Sequence, residues 1–139
     1  MSANEFWEQI QFFKPWEWKD DPDMADHKLI QVMDRVRHQA MIQVHIHGCW
    51  SQAGHSENSY HYTGRAVDFH FAPGLSPVRE FIILAGQPEL GGIGHYPGWY
   101  PRPGWHVDLR FWQDGRLYWS RIDGIYQYGS KSLTLSLGR

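Results

Sequence analysis

The chain has 139 residues, enough for one domain that buries most of its apolar surface without a disulfide framework. Its formal charge is -2 with histidine counted neutral, and it has no lysine/arginine block, so a nucleic-acid partner gains no electrostatic footing. The single cysteine, Cys49, excludes an internal disulfide, and the longest apolar run, Phe81 to Ala85, is far too short for a bilayer-spanning helix.

The start, Met-Ser-Ala-Asn-Glu-Phe-Trp-Glu, lacks a basic n-region and an apolar h-region, so no signal peptide is expected and synthesis is expected in the cytoplasm. Residues 1–22 read as an irregular aromatic arm, with Phe12, Phe13, Trp16 and Trp18 packing over the domain. Asp23 and Asp26 are candidate N-caps for a helix running to about Gln39, with Leu29, Val32, Met33, Val36 and Ala40 as its apolar stripe. Ile42 to His47 alternates as a half-buried strand, with Ile42, Val44 and Ile46 on one side and Gln43, His45 and His47 on the other. Gly48 to Tyr60 reads as a long polar loop. Ala66 to Phe71 is a second alternating strand, with Val67, Phe69 and Phe71 inward and Asp68 and His70 on the opposite face.

Ser76-Pro77 opens a second helix to about Ala85, with Val78, Phe81, Ile82 and Ala85 expected inward. Gly91 to Tyr96 is a short strand and Pro97 to Gly104 a loop. Trp105 to Trp112 is a third alternating strand, with Val107, Leu109 and Phe111 opposite His106, Asp108 and Arg110. A turn at Asp114-Gly115 then leads to a hairpin partner over Arg116 to Ile122. Residues 130–139 read as a tail that frays. The expected fold is α+β, a single domain over residues 1–139 built as a small antiparallel sheet with two helices.

Two stretches carry chemistry: Ser59-Tyr-His61-Tyr-Thr-Gly64-Arg-Ala66-Val-Asp68, and Trp105-His106-Val-Asp108-Leu-Arg110. Two histidines and one carboxylate on the polar face of neighbouring strands give a metal three protein ligands, His61, Asp68 and His106, and leave a fourth position for water. The pattern Ser-x-His-x-x-Gly-x-Ala-x-Asp, followed downstream by His-x-Asp, resembles the zinc peptidases of the M15 group. That group comprises D-alanyl-D-alanine carboxypeptidases and dipeptidases, and phage endolysins that cut peptidoglycan stem peptides. Gly92 to Pro97 and His106 to Arg110 resemble one short-chain branch of it. The resemblance implies one zinc ion held by His61, Asp68 and His106, Ser59 supporting the site, and a cell-wall peptide as substrate. It also implies action on the wall after release, as in phage lysis. No membrane insertion is expected, and a monomer is.

Where many members carry Ser-Gly-Tyr-Arg, this chain has His47-Gly48-Cys49-Trp50, and Pro103, Gly104 and Trp105 stand where a glutamate often precedes the last histidine. Asp108 is therefore the candidate general base, with support of His106 or an ion pair to Arg110 as its other reading. Ser59, Arg110 and His47 are candidate substrate contacts, and Arg65 and Arg110 are candidates to stand in for the missing arginine, although a solvated turn suits Arg65 and an ion pair suits Arg110. His45 with His47 could form a second metal pair or a solvated strand face; His70 is expected at the rim, and His55 and His95 exposed. Trp50, Trp99, Tyr100 and Trp105 could wall a cleft or simply pack. Cys49 reads as a bystander. A zinc-stabilised wall-binding or phage structural module without turnover is the alternative function.

Overall fold

In the computed structural model, residues 2–113 and 115–138 are described. The clearest stripe in the sequence becomes α2, His27–Ala40, after a short α1, Ala3–Glu8. Asp26 caps α2 by accepting from the amides of Lys28 and Leu29, and Leu29, Ile30, Val32, Met33, Val36 and Ala40 are buried. Between the two helices the chain is tied down rather than loose. The Asp34 carboxylate accepts from the amides of Gln11, Phe12 and Phe13, while Phe6, Ile10, Phe13 and Trp18 enter the core. Trp16, expected to pack with them, is 77% exposed, because it sits on a one-turn 3-10 segment, Pro15–Glu17, that turns it outward.

The strands follow as β1 (Val44–Gly48), β2 (Ala66–Phe71), β3 (Gly92–Tyr96), β4 (Gly104–Asp108), β5 (Leu117–Ile122) and β6 (Ile125–Tyr128). They form one sheet in the order β1-β2-β4-β3-β5-β6. The sheet is mixed, not purely antiparallel as expected: β3 and β5 run parallel, with Gly92 opposite Leu117 and Gly94 opposite Trp119. Consequently β5 is not the hairpin partner of β4. The expected third strand stops at Asp108, Phe111 lies 82% exposed, and the chain steps across β3 before re-entering the sheet. The expected Asp114-Gly115 turn includes a residue outside those described. The Asp-Gly pair that closes a hairpin is Asp123-Gly124, both at positive φ, joining β5 to β6.

The described residues hold four α-helices rather than two. Helix α3, Pro77–Ala85, starts at the Ser76 cap, and Phe81 packs on the core as expected, but Val78 and Ile82, also expected inward, are exposed. Glu80 and Leu84 are buried instead, and Glu80 is satisfied there by accepting from the Trp105 indole N–H at 2.9 Å. The tail expected to fray is α4, Ser130–Leu137, with Leu133 buried and Leu137 packed on the core. No helix among the described residues is long and apolar enough to cross a membrane. The core lies on the α2 side of the sheet, where Val67, Phe69, Phe71, Ile93, Trp105 and Val107 are fully buried. The opposite face carries the polar residues of β2 and β4.

Candidate metal centre

The loop after β1 returns to the sheet through a 3-10 turn, Tyr60–Thr63, that begins at Ser59. The Ser59 hydroxyl accepts from the amide of His61 at 3.2 Å, so this serine fixes the backbone of the first ligand. Gly64 ends the turn at φ 68° and packs onto the Met24 carbonyl so closely that a Cβ would overlap it. Left-handed backbone and close approach both require glycine there. The chain then enters β2, where Asp68 stands opposite His106 of β4.

His61, Asp68 and His106 each offer one atom, and the three atoms lie within 4.8 Å of one another. His61 Nε2 is 3.3 Å from Asp68 Oδ2, and His106 Nδ1 is 2.9 Å from Asp68 Oδ1. The far nitrogens are also held. His61 Nδ1 donates to the Cys49 carbonyl at 2.7 Å, and His106 Nε2 donates to Asp108 Oδ2 at 2.9 Å. These anchors orient both rings, so that Nε2 of His61 and Nδ1 of His106 face the Asp68 carboxylate and donate to it; an ion seated there would displace those two protons and take the lone pairs. A tetrahedral ion with bonds of about 2.0–2.1 Å holds its ligand atoms roughly 3.3 Å apart, so the set fits a small divalent cation.

Electrostatics agree. Burial would raise Asp68, but hydrogen bonds from His106 and His61 outweigh it and hold the carboxyl well below its usual range. Burial would lower His106, but its bonds to Asp108 and Asp68 drive it up to about 9. Two carboxylates thus concentrate negative potential where a cation would sit.

Asp108 has no exposed surface. Besides His106, it accepts from Arg110 through Nε at 2.8 Å, Nη2 at 2.7 Å and the backbone amide at 3.2 Å. Burial would raise its pKa, yet these partners hold it at about 2. Arg110 is spent on this clamp and lies over the rings of Tyr60 and Trp119.

The triad opens into a cleft of about 680 Å³. One wall is the loop over residues 54–60; the other is Tyr96, Trp99, Trp119, Arg121, Tyr126 and Tyr128. Two glycines of β3 make the floor possible. A Cβ on Gly92 would come within 2.5 Å of Asp108 Oδ1, and one on Gly94 would overlap the Trp119 indole. Without side chains there, Asp108 tucks under the ligands and Trp119 lies across the sheet, its ring 5.1 Å from that of His106. Trp119 in turn donates to the Tyr96 hydroxyl at 2.9 Å, and Trp99 stacks on Tyr96 at 4.2 Å.

The other sequence candidates separate. His47 does not line this cleft. Its Nε2 meets His70 Nδ1 at 2.5 Å in an adjoining cavity with His45, Trp16 and Tyr100. Arg65 donates to the Leu109 carbonyl and faces a groove on the far side of Arg110. Trp105 belongs to the core, and Tyr100 is 93% exposed in the adjoining cavity. His95 is buried, not exposed, with Nδ1 on the Ser136 hydroxyl. Cys49 matters through its carbonyl, while burial pushes its thiol up to about 12. His55 is exposed in its loop, as expected, yet it stacks on His61 at 4.1 Å, and partial desolvation with the His61 charge beside it lowers its pKa. The aromatic wall of β5 and β6 was likewise not foreseen. Its signal was the alternation Tyr118-Trp119-Ser120-Arg121 and Tyr126-Gln127-Tyr128, which puts every second residue on one face.

The chain therefore carries a candidate metal centre. Comparison with known protein families and with curated protein sequences gives no match.

Proposed function

We propose that the chain is a zinc-dependent metallopeptidase of the M15 type that hydrolyses an amide bond in bacterial peptidoglycan stem peptides. The observation that carries the reading is the His61/Asp68/His106 set, with both imidazoles anchored at their far nitrogens, lining an open cleft of about 680 Å³. The donor set suits zinc: two imidazoles and one carboxylate leave a coordination position open. Zinc bound there would supply Lewis acidity, acidifying water and polarising a carbonyl oxygen.

The chain's own residues do the rest. Ser59 and the Cys49 carbonyl orient His61. Asp108 holds the Nε2 proton of His106 and is itself clamped by Arg110. Since all its capacity is used and its pKa is about 2, its proposed role is to position His106 rather than to carry the reacting proton. That proton is assigned to the loop over the triad, where the Glu57 carboxylate and the His55 ring line the cleft. Trp99, Trp119, Tyr126 and Tyr128 give the peptide a flat aromatic bed. The enzyme is proposed to act as a monomer, on the wall, after release from the cell that makes it.

The commitment of Asp108 favours one second reading, a zinc-stabilised wall-binding or phage structural module without turnover. Incubating zinc-loaded wild type and His61→Ala with purified peptidoglycan, with mass spectrometry of released peptides, decides between them. New amino termini or free D-alanine with wild type alone support the peptidase. Zinc-loaded protein that releases nothing from several wall types sinks it.

A further inference from the structure

The cleft needs a way to grip a charged peptide, and its arginines are unequally free. Arg110 is clamped to Asp108, and Arg65 is turned away on the Leu109 carbonyl. Arg121 lines the same cleft, is exposed, and makes no hydrogen bond or ion pair among the described residues. Its guanidinium lies over the Tyr126 ring at 5.1 Å, which holds the plane in place and leaves its N–H fork open.

The sheet register puts this group on the right face. Asp68 stands opposite His106, His106 opposite Gly94, Gly94 opposite Trp119, and Trp119 opposite Tyr128. That row runs from the metal ligands across bare glycine to the aromatic wall. Arg121 is two residues from Trp119 on β5, so it shares this face, and it stands opposite Tyr126. Two strand spacings and two residues separate it from His106, roughly 12 Å between Cα atoms. Extended peptide covers that in about three residues.

We propose that Arg121 is the anion anchor of the cleft. The peptide it takes presents a carboxylate about three residues from the point lying over the metal ligands, and the Tyr126 ring keeps the fork aimed at it. The inference deepens the peptidase reading and rests on it for the substrate class. A planar guanidinium pairs bidentately with a carboxylate, whereas a carboxamide can take only part of the fork and carries no charge.

Calorimetry tests it with the stem pentapeptide L-Ala-γ-D-Glu-L-Lys-D-Ala-D-Ala. The comparison peptides are amidated at the glutamate α-carboxylate, at the terminal carboxylate, or at both. Titrations on EDTA-treated protein stop hydrolysis, and repeats on zinc-loaded protein restore the full site. Wild type is expected to bind the fully anionic peptide about tenfold or more tighter than the doubly amidated one, and one single amide should account for most of the difference. Arg121→Gln should shrink that ratio to about twofold, with Arg121→Lys in between because an ammonium lacks the fork. Wild type that binds all forms equally or none, or Arg121→Gln that keeps the preference, overturns the anchor. Product analysis by mass spectrometry is read separately. A carboxylate preference without any cleavage supports the anchor while removing the peptidase.

Discussion

Two histidine clusters share one face of one sheet and have opposite character. His61 and His106 meet Asp68, with Asp108 behind, and His106 is driven up to about 9. Beside it, His45, His47 and His70 stack and hydrogen-bond among themselves and against Trp99, and His70 is lowered to about 4 by burial first and then by its histidine neighbours. The density of imidazoles is similar. The first cluster has carboxylates in hydrogen-bond contact and an anchor on each far nitrogen, and among the described residues the second has neither. Histidines become a candidate centre when something fixes which lone pair they present.

The largest expected effect comes from removing ligands. His61→Ala or His106→Ala should lower zinc affinity more than roughly a hundredfold, read as metal content after dialysis against a weak chelator, while His47→Ala changes it less than about twofold. Equal losses from both clusters would erase the contrast. Next, Asp108→Asn makes the first cluster more like the second by removing the charge behind His106. About a 10–100-fold loss of zinc affinity is expected, with fold retained by circular dichroism. Full zinc affinity in that variant would remove Asp108 from the site's support.

The reverse change gives the second cluster a carboxylate. In His45→Asp, a negative charge beside the His70 ring should raise its pKa by about one to two units above about 4, followed by NMR titration. The smallest effect concerns His95, a third histidine without a carboxylate, held at about 4 by burial. Its folded pKa lies below the unfolded value of 6.5, so its neutral form favours folding above pH 6.5, and that contribution is lost as pH falls from 6.5 toward 4. In EDTA-treated protein, His95→Gln should flatten stability against pH in that window by at most about 1.4 kcal/mol per pH unit, read from urea midpoints. An unchanged slope would mean the group does not sense its burial.

Local signals were legible where one periodicity or one cap decides the outcome. Asp26 and the Leu29-to-Ala40 stripe make α2, and the alternation from Ala66 to Phe71 makes β2 and aims Asp68 outward. Alternation with core residues on strands also brought out Asp68 and His106, whereas His61, in the turn before β2, was legible through the Ser59-to-Asp68 motif. What stayed hidden depends on partners distant in sequence. The Trp105 indole claims Glu80 for the inward face of α3, and beside the parallel pairing of β5 with β3 the bare Gly94 leaves room for Trp119 while Gly92 leaves room for Asp108. The Cys49 carbonyl on His61 could not be read from a side chain at all. Asp108 was visible as a candidate, but its role turns on three bonds from Arg110 that only the packed site displays.

The strand order carries a consequence for assembly. The last ligand, His106, lies on β4, which sits between β2 and β3 although β3 precedes it in the chain. The chelate is therefore incomplete until that inner strand is inserted, 38 residues after Asp68. An ion that needs all three ligands could be held only after that strand is in place, so ion uptake during refolding would report the insertion of β4.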